Sequence, residues 1–105
     1  MSKGEEERVH HRYSFKLPVD VKIGDQTATG ETVNVSIGGM LIGISAPITF
    51  GSTVGLRFRI PALKEDTTVD AAVRWVSKEA VGVQFLGLRA IEVWGLNQLF
   101  KHQAG

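Results

Sequence analysis

From Phe15 to Ile23 apolar and polar residues alternate strictly: Phe15, Leu17, Val19, Val21 and Ile23 fall on one side of an extended chain, and Ser14, Lys16, Asp20 and Lys22 on the other. Side chains repeat every two residues on a strand and every 3.6 on a helix, so this run specifies a half-buried strand. The theme recurs down the chain. Gly24-Asp25-Gln26 reads as a turn into a second strand from about Thr27 to Val35. Gly38-Gly39 leads into Met40–Ser45, and Ala46-Pro47 with Gly51-Ser52 separates this from Val54–Ile60, where Leu56, Phe58 and Ile60 alternate with Arg57 and Arg59 before Pro61. Past Lys64-Glu65-Asp66, Val69, Ala71, Val73 and Trp75 form one face of a fifth strand, and Val81, Val83 and Phe85 one face of a sixth. Six short strands joined by turns define an all-β fold, a sandwich or a closed barrel.

Only the tail has helical period. Between Leu88 and about His102, Leu88, Ile91, Leu96 and Leu99 gather on one side at about 100° per residue, with Gly95 on the same face where close packing is expected. This leaves Val93, Trp94 and Phe100 on the flanks. Exposed aromatic side chains are typical of protein contacts, so these three are the expected surface for a protein partner or for self-association into a homodimer.

At 105 residues the chain suits one compact domain, and its 43% hydrophobic and 22% charged residues are an ordinary globular balance. Residues 1–12 are different: apart from Met1 and Val9 they carry nothing apolar, and Glu5, Glu6 and Glu7 are followed by Arg8, His10, His11 and Arg12. Such a segment cannot bury enough surface to order itself, so the chain divides into a mobile arm over 1–12 and a barrel with its helix over 13–105. The absence of cysteine excludes a disulfide framework and suits a reducing cytoplasm. The polar N-terminus has no apolar signal region, and no apolar run approaches the roughly 18 residues of a membrane span, so a cytoplasmic protein without membrane insertion is expected.

Enzyme signatures are missing. Ser36, in Asn34-Val-Ser-Ile-Gly38, lacks the first glycine of a nucleophile elbow, and neither a phosphate loop nor a dinucleotide-binding glycine pattern occurs. The adjacent His10 and His11 point apart in an extended chain and make a poor chelating pair. No catalytic residue, metal site or cofactor is therefore expected. A net charge of +1 is too small for a general nucleic-acid binder, and Phe15, Phe58, Trp75 and Phe85 fall on core faces rather than on a stacking platform, so neither DNA nor RNA is an expected partner.

Two short motifs suit a local anion site. Arg8 and Arg12, four residues apart, can span roughly 13 Å of extended chain, and the arginine fork bonds bidentately to guanine O6 and N7 or to phosphate. Asn34 and Ser36, two apart on a strand, are expected to share an outward face opposite the core residues Val33, Val35 and Ile37. Their amide and hydroxyl offer donors and acceptors to a base or a phosphate, and Gly39, with Gly38 beside it, allows a flat ring to approach the backbone.

Arg8-x-x-x-Arg12 and Asn34-x-Ser36-x-x-Gly39, with Val73-Arg-Trp75-Val ahead of Gly82-Val-Gln-Phe85 and a closing helix, resemble the PilZ domain family over nearly the whole chain. Members of that family bind the bacterial second messenger cyclic di-GMP. The resemblance implies a six-stranded antiparallel β-barrel with a C-terminal helix, in agreement with the strand count. It also implies cyclic di-GMP as ligand, with Arg8, Arg12, Asn34, Ser36, Gly38 and Gly39 as its binding residues. On this reading the protein is a non-catalytic receptor that orders its arginine arm on ligand and signals through a partner protein in motility, pili or biofilm control. The alternative is a PilZ-like protein-interaction module that does not bind nucleotide. One position departs from the family: Glu7 stands where many members carry a further arginine directly before the pair.

Overall fold

The computed structural model describes residues 11–104. Six strands, β1 (Pro18–Ile23), β2 (Gln26–Val35), β3 (Gly39–Gly43), β4 (Thr53–Phe58), β5 (Thr67–Val76) and β6 (Ala80–Phe85), precede one helix, α1 (Ala90–Ala104). All neighbouring strands are antiparallel, and they close into a barrel in the order β1-β2-β3-β6-β5-β4, with β4 returning to pair with β1. The closed barrel is the one of the two expected architectures that the chain adopts. Residues 1–10 of the expected arm, Arg8 included, lie outside the described residues.

Alternation decides what fills the interior. Val19 and Val21 of β1, Val54, Leu56 and Phe58 of β4, Val69, Ala71 and Val73 of β5, and Val81, Val83 and Phe85 of β6 all point inward and are buried. Phe58 and Phe85 stack across the core with ring centroids 6.2 Å apart. The helix contributes Leu96 and Phe100, both buried. It approaches the segment after β4 at Gly95, where an added Cβ would lie 3.0 Å from Leu63 and 3.1 Å from Ile60. The expected close packing at this glycine is thus present.

Two bulges correct the expected faces. In β2 the register slips between Thr32 and Asn34, so Thr32 turns inward and Val33, expected in the core, is 48% exposed. In β5 it slips between Val73 and Trp75, so Trp75, also expected in the core, is 51% exposed. A third correction concerns the helix. Ile91 is exposed, whereas Glu92 and Phe100 are buried. Glu92 belongs inside because Oε1 accepts the Arg89 backbone N–H at 2.8 Å and Oε2 accepts the guanidinium at 2.8 Å, capping the first turn from within.

Candidate functional site

The run-up to β1 is pinned along β2 before it joins the barrel. Tyr13 and Val35 exchange backbone hydrogen bonds of 2.9 and 2.8 Å, and the Thr32 backbone N–H donates to the Leu17 carbonyl at 2.9 Å. The inward-turned Thr32 hydroxyl accepts from the Leu17 N–H at 2.8 Å and donates to the Phe15 carbonyl. Arg12 therefore emerges beside the end of β2, where Nη1 donates to Asn34 Oδ1 at 2.7 Å. Arg12 and Asn34, 22 residues apart in the chain, are brought together as the two motifs suggested.

Ser36 is a correction. It was expected to face outward with Asn34, but it is only 2% exposed. Strand β2 ends at Val35, and Ser36 opens the turn into β3, where two-residue alternation no longer applies. Its Oγ accepts from the backbone N–H groups of Gly38 at 3.1 Å and Gly39 at 3.2 Å, and its own N–H donates to the Gly39 carbonyl at 2.8 Å. Its hydroxyl thus builds the turn. Gly39 also has a structural demand on it, since a Cβ there would overlap the Val83 carbonyl oxygen of β6. The Gly38 carbonyl in turn accepts the Phe85 N–H at 2.8 Å, fastening the turn to β6.

Above this turn lies a cleft of about 280 Å³ lined by Arg12, Ser36, Gly38 and Gly39 on one side and by Arg74, Gly82, Val83 and Gln84 on the other. The second wall was missed in the sequence. Gln84 pairs with Gly39 of β3 and with Ala72 of β5, and Gly82 pairs with Trp75 across the bulge. Arg74 Nε donates to Gln84 Oε1 at 2.9 Å. Val73-Arg-Trp75 and Gly82-Val-Gln-Phe85 are visible as segments, but only strand pairing shows that Arg74 and Gln84 meet at the motif's glycine.

The electrostatics of this cleft differ from the rest of the surface. Among the five described arginines, Arg57 and Arg59 both bond Asp66, at 3.0 and 2.9 Å, and Arg89 bonds Glu92 at 2.8 Å. Hydrogen bonds from Arg57 and then Arg59 hold the Asp66 carboxyl below its usual range. Arg12 and Arg74, the two in the cleft, bond neutral amide oxygens instead. Their positive charge has no carboxylate partner among the described residues, and an anion entering the cleft would meet two guanidinium groups already oriented.

A second depression, of about 380 Å³, lies between the helix and the β4–β5 connection and is lined by Leu63, Thr67, Arg89, Ile91 and Trp94 among others. Of the three residues expected to form a contact surface, Trp94 is half exposed and Val93 half buried. Phe100 is not on the surface: it is 5% exposed and stacks on Tyr13. Among the described residues there is no helix long and apolar enough to cross a membrane, and no cluster of three or more His, Asp or Glu side chains placed to hold a metal ion.

A barrel of this strand order with its arginine, asparagine and glycine turn at one cleft defines a class, and the family comparison names it: the PilZ domain family model matches residues 6–101. The chain belongs to the PilZ domain family. Solved structures agree at the level of the fold. The inhibitor of motility MotI/DgrA of Bacillus subtilis superposes with a TM-score of 0.79 at 18% identity over 99% of this chain and 52% of that one. The PilZ domain of Escherichia coli YcgR, determined with c-di-GMP, gives 0.71 at 15% identity over 90% and 89%. The PilZ domain of CeSA from a cellulose-synthesizing bacterium gives 0.66 at 21% over 85% and 93%. The chain thus spans about half the length of the MotI/DgrA chain it matches. A search of curated proteins gives no match.

Proposed function

We propose that the protein is a cytoplasmic, non-catalytic receptor for cyclic di-GMP. The observation that carries this reading is the Arg12–Asn34 bond at 2.7 Å over the Ser36–Gly39 turn, which presents a guanidinium to the cleft with no carboxylate partner among the described residues. Arg12 bonds the ligand, Asn34 orients Arg12 and adds its amide, and Ser36, Gly38 and Gly39 form the turn that the ligand lies against. Arg8 joins when ligand draws the arm toward the cleft. The c-di-GMP in the YcgR PilZ domain structure supports the choice of ligand.

The signal leaves through a partner protein, and the exposed Trp94, with Ile91 and Val93 beside it, is the contact surface. The motility inhibitor among the structural relatives favours motility over pili or biofilm as the setting. Calorimetric titration of cyclic di-GMP into the wild-type protein and into Arg12→Ala tests the reading. Saturable binding by the wild type is expected, weakened about ten- to hundredfold in the variant by loss of a bidentate contact worth about 1–3 kcal/mol. Absence of binding by the wild type would leave the non-nucleotide interaction module as the function.

A further inference from the structure

We infer that Arg74 is a second ligand-binding arginine, contacting a phosphodiester of the cyclic dinucleotide from the wall opposite Arg12, and that Gln84 positions it. The inference rests on the receptor reading above and extends it to residues outside the two motifs.

The two cations of the cleft are held by the same device. Arg12 is anchored through Nη1 to the side-chain carbonyl of Asn34, and Arg74 through Nε to the side-chain carbonyl of Gln84 at 2.9 Å. A neutral amide fixes the direction of a guanidinium without neutralising it, whereas the arginines elsewhere on the described surface are each spent on a carboxylate. Gln84 engages Nε, and among the described residues neither terminal nitrogen of Arg74 has a side-chain partner; these two are a pair that can meet two phosphate oxygens side by side.

The fold brings this second anchor to the motif. Gly39 on β3 pairs with Gln84 on β6, which pairs with Ala72 on β5, so the three stand in one row across the sheet. At about 4.8 Å per strand, the row places the β5 wall roughly 10 Å from Gly39, a span that a nucleotide fills. Arg74 then sits in the β5 bulge between Val73 and Trp75, where the local twist re-aims a side chain. Gly82, opposite the bulge, has no side chain to close the gap between the walls. Both guanidinium groups line one cleft, so a phosphodiester entering it would meet positive charge from each wall.

Calorimetry with cyclic di-GMP on wild type, Arg74→Ala, Arg74→Lys, Gln84→Leu and the Arg74→Ala/Gln84→Leu double variant tests this, with melting temperatures alongside. Arg74→Ala is expected to lose affinity about ten- to hundredfold at unchanged melting temperature, with a shallower dependence on salt concentration. Arg74→Lys is expected to recover part of the loss, because a phosphate accepts a point charge. Gln84→Leu should weaken binding severalfold in the wild type and not at all in the Arg74→Ala background, a coupling that a merely structural role for Gln84 would not produce. Wild-type binding with Arg74→Ala within twofold overturns the inference and leaves the receptor reading standing. Arg74→Lys as weak as Arg74→Ala overturns the phosphate assignment in favour of a guanine edge. Failure of the wild type to bind removes the receptor reading and this inference with it.

Discussion

Tyr13 lies flat on Phe100, with ring centroids 4.2 Å apart and planes 8° from parallel, so the residue next to Arg12 is packed onto the last turns of the helix. Phe15 adds a second ring against the same phenylalanine at 6.2 Å, and His11 meets the Tyr13 edge at 4.7 Å. Offset aromatic contacts of this kind contribute about 0.5–1.5 kcal/mol each beyond the area they bury.

Phe100→Ala is therefore expected to destabilise the domain by about 3–5 kcal/mol, as for a buried aromatic, while Trp94→Ala, on the exposed side of the same helix, changes stability by less than about 1 kcal/mol. Urea unfolding of the two variants checks the contrast. Trp94→Ala should instead impair self-association or partner capture, read by light scattering and pull-down.

The Ser36 turn gives a second expectation. Ser36→Ala leaves two backbone N–H groups of the turn without their side-chain acceptor, at a cost of about 1–3 kcal/mol, and a domain of this size loses roughly 4–8 °C of melting temperature per kcal/mol. Differential scanning calorimetry without ligand reads this directly. A variant that melts like the wild type but binds cyclic di-GMP poorly would make Ser36 a ligand contact alone.

Thr67 predicts a gain rather than a loss. Its hydroxyl is buried and has no hydrogen-bond partner among the described residues, so it carries an uncompensated desolvation cost. Thr67→Val keeps the shape, removes the polar atom and should stabilise the barrel by about 1 kcal/mol, seen as a higher denaturant midpoint at unchanged slope.

Glu92 sets an acid limit. Burial pushes its carboxyl up, but the hydrogen bonds from the Arg89 side chain and backbone and the charge of that guanidinium outweigh this and hold it below the usual range. A folded-state value below the unfolded one means that ionised Glu92 stabilises the fold above the unfolded value of about 4.3, and that this is lost as pH falls through the lower folded value. Glu92→Gln should be less stable than the wild type at pH 7 by about 1–2 kcal/mol, from weakened charge-assisted bonds. The gap should narrow as pH falls below about 4. Urea midpoints of both proteins at pH 7 and pH 3 provide the comparison; a gap that ignores pH would assign Glu92 a packing role only.

Strand alternation revealed the six strands, and most of the core, because each inward residue of β1, β4 and β6 obeys a period of two. It failed where the period itself fails. A bulge inserts one residue without any local compositional mark, so Val33 and Trp75 were assigned to the wrong side, and a turn residue such as Ser36 has no strand face at all. On the helix, a stripe drawn through the apolar residues Leu88, Ile91, Leu96 and Leu99 passes over the buried row of Glu92, Leu96 and Phe100, one turn apart, because that row begins with a charged residue. Arg12 and Asn34 were each singled out by a motif, but their bond to one another was not expected from the sequence. Arg74 and Gln84 were not singled out as site residues, because their meeting depends on the β5–β6 register, which no local pattern encodes.

Closure of the sheet limits how this domain can be read by anything outside it. With β4 returning to β1, every described strand is paired on both sides over at least part of its length, so among the described residues no strand offers a full-length open edge for another polypeptide to extend. Recognition by addition to a full-length edge strand, a common route for docking an extended peptide, is thereby disfavoured, as is edge-to-edge pairing of native barrels. A signal from the cleft would then travel outward through side chains, turns and the helix rather than through a newly paired strand.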